Sequence, residues 1–155
     1  MAGSGLVILE QNQTALRAYA AGIIDGEGSI GFLTRPSRGR LSIQPTIQCT
    51  TTDQFIAPFL QRHWGGQLFV RPRTKYNPKW KDALCWNLTG FDSILEFLRE
   101  IRPYLLVKAG YADAVIAFCE SRKVNARKSR ERRGYTQDEI RLVESTRVNA
   151  AAHNQ

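Results

Sequence analysis

The chain has 155 residues, 43% of them hydrophobic, and a formal net charge of +8 at pH 7. That length suits one domain with a substantial core, and the hydrophobic content excludes a disordered chain. The charge favours a polyanionic partner, because neutralising phosphates is the usual use of such an excess. A merely soluble basic protein would have the same composition.

Several other classes of protein are excluded by simple patterns. Cys49, Cys85 and Cys119 lie far apart without CxxC spacing, so they indicate neither a disulfide framework nor a zinc site. No basic flank precedes an apolar run at the N-terminus, and no stretch is apolar and long enough to span a membrane. We therefore expect an intracellular protein, in the cytoplasm of a prokaryote or in an organelle.

The most informative stretch follows a short N-terminal arm, residues 1–12. From about residue 13 the periodicity is helical, and it ends in Gly26-Glu27-Gly28 before a strand begins. The two glycines permit the geometry that stops a helix. The pattern therefore places the Glu27 carboxylate and the Gly26 carbonyl at a helix C-terminus, where a cation is favoured.

One face of this helix is made of small side chains. Ala18, Ala21, Gly22 and Asp25 fall together at helical spacing. Such a face has little apolar area to bury, but it lets a second helix approach closely. We expect it to form a contact between two copies of the helix.

Four strands are predicted, in two pairs. The first spans Ser29 to Arg35, and after the basic turn 35–40 the second spans Leu41 to Thr50, with Pro45 indicating an edge or a bulge. The third spans Gln67 to Arg73 and is expected to bury Leu68 and Val70. The fourth spans Ala83 to Leu88, with Leu84, Trp86 and Leu88 buried and Cys85 and Asn87 exposed.

The outward face of strand two is rich in groups that both donate and accept hydrogen bonds, namely Ser42, Gln44, Thr46, Gln48 and Thr50. Side chains of this kind suit the reading of base edges in a major groove. An ordinary half-buried sheet with one wet face would look similar. Repetition of the polar face on the second pair, with Arg71 and Arg73 at matching positions, favours nucleic-acid contact.

The remaining elements are helical. One helix is expected from about Asp53 to Trp64, and one opened by the Ser93–Glu96 capping box ends near Ile101. Another should span about residues 107–122, and the Thr136–Glu139 capping box should open a last one. The basic run from Ser121 to Arg133 fits either phosphate contact or a solvated arm.

Three segments carry a family resemblance. Ala20-Ala-Gly-Ile-Ile-Asp-Gly-Glu-Gly28 resembles the LAGLIDADG signature of homing endonucleases, with Ala20 in place of the usual Leu and Glu27 in place of Asp. Ile47-Gln-Cys-Thr-Thr-Thr-Asp53 is similar to the family segment before the second helix. Arg102-Pro-Tyr-Leu-Leu-Val-Lys108 is similar to the segment before the penultimate helix. The resemblance covers roughly residues 14–122.

The resemblance implies an α+β fold of order αββαββα, in which a four-stranded antiparallel saddle has helices on one face. Residues 13–125 would form this endonuclease core, and residues 126–155 a basic segment and a C-terminal helix. The implied activity is divalent-metal-dependent hydrolysis of both strands of a long, near-palindromic DNA, by an intron-encoded enzyme. Mg²⁺ is the expected cofactor, with Mn²⁺ or Ca²⁺ able to occupy the same sites.

The resemblance also implies residue roles. Glu27 matches the metal-binding acid, with the Gly26 carbonyl as a second ligand, and Lys108 matches the basic residue beside the active site. Thr51 matches the polar residue that orders water, although it is shorter than the usual Gln. A solvated lysine at a helix start, and a Thr51–Gln54 helix cap, would explain the last two residues equally well.

One chain supplies one such acid, whereas two strands need two, so the chain should act as a homodimer through Ala18, Ala21, Gly22 and Asp25. The expected DNA-binding set is basic or amide- and hydroxyl-bearing: Arg35, Ser37, Arg38, Arg40, Ser42, Gln44, Thr46, Gln48, Arg71, Arg73, Lys75, Lys79, Lys81 and Asn87.

Two alternatives stay open from the sequence. One is a non-cleaving relative that binds DNA as a regulator or helps RNA to splice as a maturase. The other is an unrelated basic RNA-binding protein, in which the signature is coincidental. The latter predicts a preference for RNA and no metal-dependent cleavage.

Overall fold

The computed structural model describes residues 3–126 and 134–153. The elements, in chain order, are α1 (Ser4–Gln11), α2 (Gln13–Glu27), β1 (Gly28–Ser37), β2 (Arg40–Thr51), α3 (Ile56–Trp64), β3 (Gln67–Arg71), β4 (Ala83–Leu88), α4 (Phe91–Ile101), a 3₁₀ turn (Arg102–Tyr104), α5 (Ala109–Ala126) and α6 (Gln137–His153). The predicted αββαββα order is confirmed, with α1, α5 and α6 added around it.

The four strands form one antiparallel sheet in the order β1-β2-β4-β3. Pairing of β2 with β4 covers only Ile47–Thr51, opposite Leu84–Leu88. Within the described part of the chain, the outer half of β2 therefore pairs with β1 alone. The β1–β2 hairpin extends beyond the four-stranded part of the sheet.

One face of the sheet packs on the helices. Ile30, Ile47, Cys49, Trp86 and Leu88 are buried there, and they join apolar side chains of α2, α3, α4 and α5 in a single cluster. α4 has the clearest apolar side, because five of its eleven residues are buried. In the described part of the chain, no helix is long and apolar enough to cross a membrane.

Two predictions about the strands are wrong. Cys85 was expected to be exposed but is buried, because Thr50 and Phe69 flank it in the middle of the sheet and the Thr50 hydroxyl lies 3.2 Å from its sulfur. Val70 was expected to be buried but is 58% exposed, since β3 is the edge strand. Pro45 costs no ladder hydrogen bond. Residues 43 and 45 have their nitrogens on the same side of β2, and the Ile43 N–H points away from β1, toward Tyr135. The Pro45 nitrogen therefore also points away from β1, where a missing N–H costs the β1–β2 pair nothing.

The helix starts differ from the predictions in two places. α4 begins at Phe91 after Gly90, so Ser93 lies within the first turn and caps nothing. α3 begins at Ile56, and the Asp53 carboxylate accepts hydrogen bonds from the N–H groups of Phe55 and Ile56. The predicted Thr136–Glu139 capping box is confirmed in both directions, each hydrogen bond being 3.2 Å long.

Candidate active site and nucleic-acid interface

The carboxyl end of α2 leads into β1 without a loop, because α2 ends at Glu27 and β1 begins at Gly28. The Glu27 side chain is exposed there. The residue after Glu27 is a glycine because it packs closely against the helix. A Cβ on Gly28 would lie 2.8–2.9 Å from atoms of Ile24. The small residue thus allows the strand to leave directly under the helix end, with the carboxylate in solvent.

Lys108 is anchored to this same turn. Its Nζ donates hydrogen bonds to the carbonyl oxygens of Ile24 at 2.8 Å, Asp25 at 3.0 Å and Gly28 at 2.5 Å. An ammonium group has three protons, so this set uses all of them. The positive charge lies at the negative end of the α2 dipole. Burial nevertheless lowers the pKa of Lys108 below its ordinary value, against the raising effect of the nearby Asp25 and Glu27.

Asp25 ties the same turn to the segment before α5. Its carboxylate accepts backbone hydrogen bonds from Leu106 at 2.7 Å, Val107 at 3.2 Å and Lys108 at 2.9 Å. Burial acts to raise the pKa of Asp25, but these three N–H groups and the Lys108 charge outweigh it and lower the pKa. Asp25 therefore positions Lys108 against the end of α2.

The oxygen donors beside Lys108 fit a hard divalent cation. Glu27 offers an exposed carboxylate that has no hydrogen bond or ion pair among the described residues, and the Gly26 carbonyl is not among the three acceptors of Lys108. Mg²⁺ prefers oxygen ligands and keeps several waters, so two ligands from a chain are a sufficient protein share. Among the described residues, no group of three or more His, Cys, Asp or Glu side chains could hold a metal.

Cys49 and Thr51 lie nearby on β2. Cys49 is the register partner of Gly28, and burial followed by the Glu27 charge raises its pKa to about 11. It is therefore a neutral thiol at physiological pH and no nucleophile. The Thr51 hydroxyl accepts a hydrogen bond from the Asp53 N–H at 3.1 Å, so the helix cap belongs to Asp53 and not to a Thr51–Gln54 pair.

The face of the sheet away from the helices is free of acids and mostly polar, with Leu33 and the exposed Phe69 as apolar exceptions. None of the four strands contains Asp or Glu. Three arginines project on this face near the ends of the strands, namely Arg35, Arg40 and Arg71. Gln44 and Gln48 of β2 lie between them. The charged side chains of the strands are therefore all positive, which suits a phosphate backbone.

Most of the expected DNA-binding side chains are accessible on this side. The exposed ones are Arg35, Ser37, Arg38, Arg40, Gln44, Arg71, Arg73, Lys75, Lys79 and Lys81, while Ser42, Gln48 and Asn87 are half-buried. Thr46 is the exception. It is only 7% exposed, and its hydroxyl donates to the Asn87 amide oxygen at 2.9 Å. Thr46 therefore offers little surface to a base, and its hydroxyl is engaged by Asn87.

The two hairpins end differently. Between β1 and β2, Arg38 and Gly39 both have positive φ, at 49° and 73°, which is the two-residue turn that matches strand twist. The longer β3–β4 loop is held by Asp82, whose carboxylate accepts from the N–H groups of Arg73 and Thr74. These bonds lower the pKa of Asp82. The Arg73 guanidinium lies 5.2 Å from the ring centre of Trp80.

The small-residue face of α2 is split by the fold. Gly22 is exposed and Ala18 is half-buried, whereas Ala21 has no exposed surface and packs inside its own chain. Ala21 therefore cannot take part in the expected contact between two copies of α2. The Asp25 carboxylate is not available for that contact either, because it binds the N–H groups of residues 106–108. The accessible side is instead Ala18, Tyr19 and Gly22.

Sequence reasoning missed the role of Asp25, which no local pattern indicated, since its partners are more than 80 residues away. It also missed Tyr135, although this residue immediately precedes the recognised capping box. Most of the basic run, residues 127–133, lies outside the described residues, as do residues 154 and 155.

Comparison with known proteins finds relatives by structure and none by sequence. No family model matches the chain. No curated protein sequence matches it either. Solved structures do match, and homing endonucleases are among them.

The homing endonuclease I-CvuI, solved with its target in the presence of Ca, superposes with a TM-score of 0.65 at 18% identity, covering 88% of this chain and 82% of that one. The archaeal intron-encoded homing endonuclease I-Vdi141I, complexed with DNA, gives 0.56 at 12%, covering 87% and 96%. I-SmaMI, a meganuclease bound to uncleavable DNA, gives 0.62 at 14%, covering 87% of this chain but 42% of its own.

Proposed function

We propose, from the premise that this chain has the LAGLIDADG homing-endonuclease fold, that it is a site-specific DNA endonuclease that needs a divalent metal. The observation that carries the proposal is the end of α2, where the exposed Glu27 carboxylate lies beside a lysine bound to three carbonyls of the same turn. A structural turn needs no free carboxylate at the negative end of a helix, where it is electrostatically unfavourable.

The residues would divide the chemistry as follows. Glu27 and the Gly26 carbonyl would hold Mg²⁺, which when bound supplies charge stabilisation and an activated water. All three protons of Lys108 are engaged by carbonyls, so Lys108 would act through its charge near the phosphate and not as a proton donor. Thr51, at the end of β2, would help to orient water.

The active enzyme in this proposal is a homodimer, and the exposed side of α2 supports it. Leu106 and Val107, held beside the last turn of α2 by Asp25, are 89% and 62% exposed. An apolar patch next to a small-residue helix suits a second copy of the same surface. I-SmaMI is more than twice as long as the part that this chain matches, which leaves room for two such units in one chain.

The target in this proposal is a near-palindromic duplex. The 12 residues of β2 span about one turn of DNA at about 3.3 Å per residue, so two copies would cover on the order of 20 base pairs. The archaeal neighbour is described as intron-encoded. The same genetic setting is part of the proposal for this chain.

Selection of cleaved sites from a randomised supercoiled library tests the activity. Linear molecules should accumulate with Mg²⁺ and not with EDTA, and their ends should define a near-palindrome. Recovery of bound but uncut DNA at all metal concentrations would favour the non-cleaving relative. A preference for RNA over every duplex would contradict the proposal.

The dimer has a test of its own at Gly22. A Cβ there would meet nothing within 4 Å, so Gly22→Leu should leave the subunit folded while keeping two copies of α2 apart. Gly110→Leu on α5 is a matched control, since its Cβ also meets nothing. Sedimentation should give a monomer for the first variant and a dimer for the control. Wild-type protein that stays monomeric at micromolar concentration on its DNA site would exclude the arrangement.

A further inference from the structure

The outer half of β2 has a free edge that the C-terminal segment covers. β4 pairs with β2 only from Ile47 onward, so no strand among the described residues lies beside Ile43 on that side. Its N–H donates instead to the Tyr135 hydroxyl at 2.8 Å, and the same hydroxyl lies 3.4 Å from the Ile43 carbonyl. One phenol group thus takes the place of a neighbouring strand.

A second contact holds the other strand of the hairpin at the same level. The Arg147 guanidinium on α6 donates to the Thr34 hydroxyl at 2.8 Å. Thr34 is the register partner of Ile43. Both members of one cross-strand pair are therefore bound by residues of the C-terminal segment, one through the backbone and one through the side chain.

Tyr135 is itself firmly placed. Its ring stacks on Phe118 at 6.0 Å, Phe118 packs edge-on against Phe32 of β1 at 4.8 Å, and the Arg122 guanidinium lies 4.8 Å from the Tyr135 ring centre. A hydroxyl on a fixed ring can hold a strand in place, whereas one on a mobile loop could not.

The segment is anchored to α5 by a buried carboxylate. Glu139 has no exposed surface and accepts hydrogen bonds from Ser121 at 2.7 Å, Asn125 at 3.1 Å and the Thr136 N–H at 3.2 Å. Burial opposes its charged form, yet these bonds and the Arg122 charge lower the pKa of Glu139 overall. This network holds the start of α6 and its capping residue Thr136, and so fixes the adjacent Tyr135.

The clasped pair is adjacent to the side chains that face DNA in the proposed function. Arg35 and Ser42 form the next pair toward the tip, and Leu33 and Gln44 the next pair inward. Tyr135 also lines, with Ser37, Arg38 and Arg40, a groove of about 490 Å³ at the tip. A shift of the hairpin by a fraction of its strand spacing would misalign all of these donors with base edges.

We infer that Tyr135 and Arg147 are positioning residues for DNA recognition, which clasp the Thr34–Ile43 pair so that the outer β1–β2 hairpin is held in its reading geometry. This inference rests on the proposed function. Neither residue needs to touch DNA. Removing either contact should therefore relax preference at the outer base pairs of each half-site, and leave preference near the centre and the cleavage rate of bound DNA unchanged.

Tyr135→Phe removes only the hydroxyl, and Tyr111→Phe, a half-buried tyrosine of α5, is its control. Arg147→Met removes one charge from α6. Its control is Arg141→Met, an exposed arginine whose contact among the described residues is with Asp138 on the same helix. The two clasp variants should lower discrimination at outer base pairs by about threefold to tenfold, the worth of one hydrogen bond. The controls should leave the ratio of outer to inner discrimination unchanged.

Amide exchange of free protein tests the clasp without DNA. Exchange at Ile43 should accelerate in Tyr135→Phe while Ile47, paired with β4, keeps its protection. Unchanged Ile43 exchange would overturn the clasp even in protein that binds DNA normally. Accelerated exchange with equal loss of affinity for all DNA would overturn the recognition role. Wild-type protein with no DNA preference would contradict the proposed function itself, and with it that role.

Discussion

The two ends of the β1–β2 hairpin differ in which contacts hold them in place. At the inner end, next to Glu27, the Lys108 ammonium binds backbone carbonyls at the end of α2 and the start of β1. In return, the Asp25 carboxylate of α2 binds the backbone N–H groups of residues 106–108. At the outer end, Arg38 and Arg40 stand in solvent around a tight turn, and α6 and Tyr135 hold the strands from behind.

This difference matches two kinds of work. Hydrolysis requires a few charged groups held within a fraction of an ångström, so their surroundings must be rigid. Recognition sums many modest contacts, each of which must reach out to a partner. We therefore expect substitutions at the inner end to affect rate, and substitutions at the outer end to affect sequence preference.

After Glu27, the largest effect is expected at Lys108. Lys108→Met leaves three carbonyl oxygens without their charged donor and removes a positive charge beside the proposed phosphate site. Cleavage should fall by about 10²–10³-fold, and the free energy of unfolding by about 2 kcal/mol. Single-turnover cleavage and denaturant unfolding measure the two. Lys123→Met, an exposed lysine of α5 paired with Asp92, is the control and should change neither.

Smaller effects are expected on the sheet. Gln44→Ala should lower discrimination at one base pair by about 1–3 kcal/mol. Lys79→Ala in the β3–β4 loop should instead weaken all sequences alike and reduce the salt slope of binding by about one. Binding titrations against single-substitution targets at several salt concentrations separate the two. Equal effects of both variants on specific and random DNA would mean that the polar face does not read bases.

The smallest effect is a change in acid stability at Asp25. Its folded-state pKa is lowered, so its stabilisation is present above the unfolded value and is lost as pH falls through the folded value, below about pH 4. Asp25→Asn should cost about 1–2 kcal/mol at pH 7. The gap between wild type and variant should narrow below pH 4 in thermal unfolding. A gap that is constant from pH 7 to pH 3 would contradict the ion's role.

Local pattern was enough to predict the inner end in part. The helix that ends at Glu27, the four strands and the Thr136–Glu139 capping box depend on residues close in sequence, and the structure contains each of them. Signals of this kind are short in range, so they survive without knowledge of the tertiary fold. The positive φ by which Gly26 and Gly28 were expected to stop the helix is absent, since Gly28 has a φ of −93° and is required instead by its close packing on Ile24.

The misses share a different cause. Burial of Ala21 and Cys85 depends on which elements pack over them. Periodicity predicts which side of a helix or strand a residue lies on, but it does not predict what covers that side. The bond of Tyr135 to Ile43 joins residues 92 positions apart. Only the folded chain brings such partners together. Sequence reasoning therefore could not predict the clasp, or the hydrogen bonds from Asp25 to residues 106–108.

The most direct measurement compares cleavage and binding in Glu27→Gln. The amide keeps the shape of the exposed side chain but removes its charge, and with it the main proposed metal ligand. The selected DNA site should be bound with the wild-type affinity and left uncut in Mg²⁺, with cleavage at least about 10³-fold slower. Cleavage by Glu27→Gln at the wild-type rate would contradict the assignment of the chemistry to this end of α2.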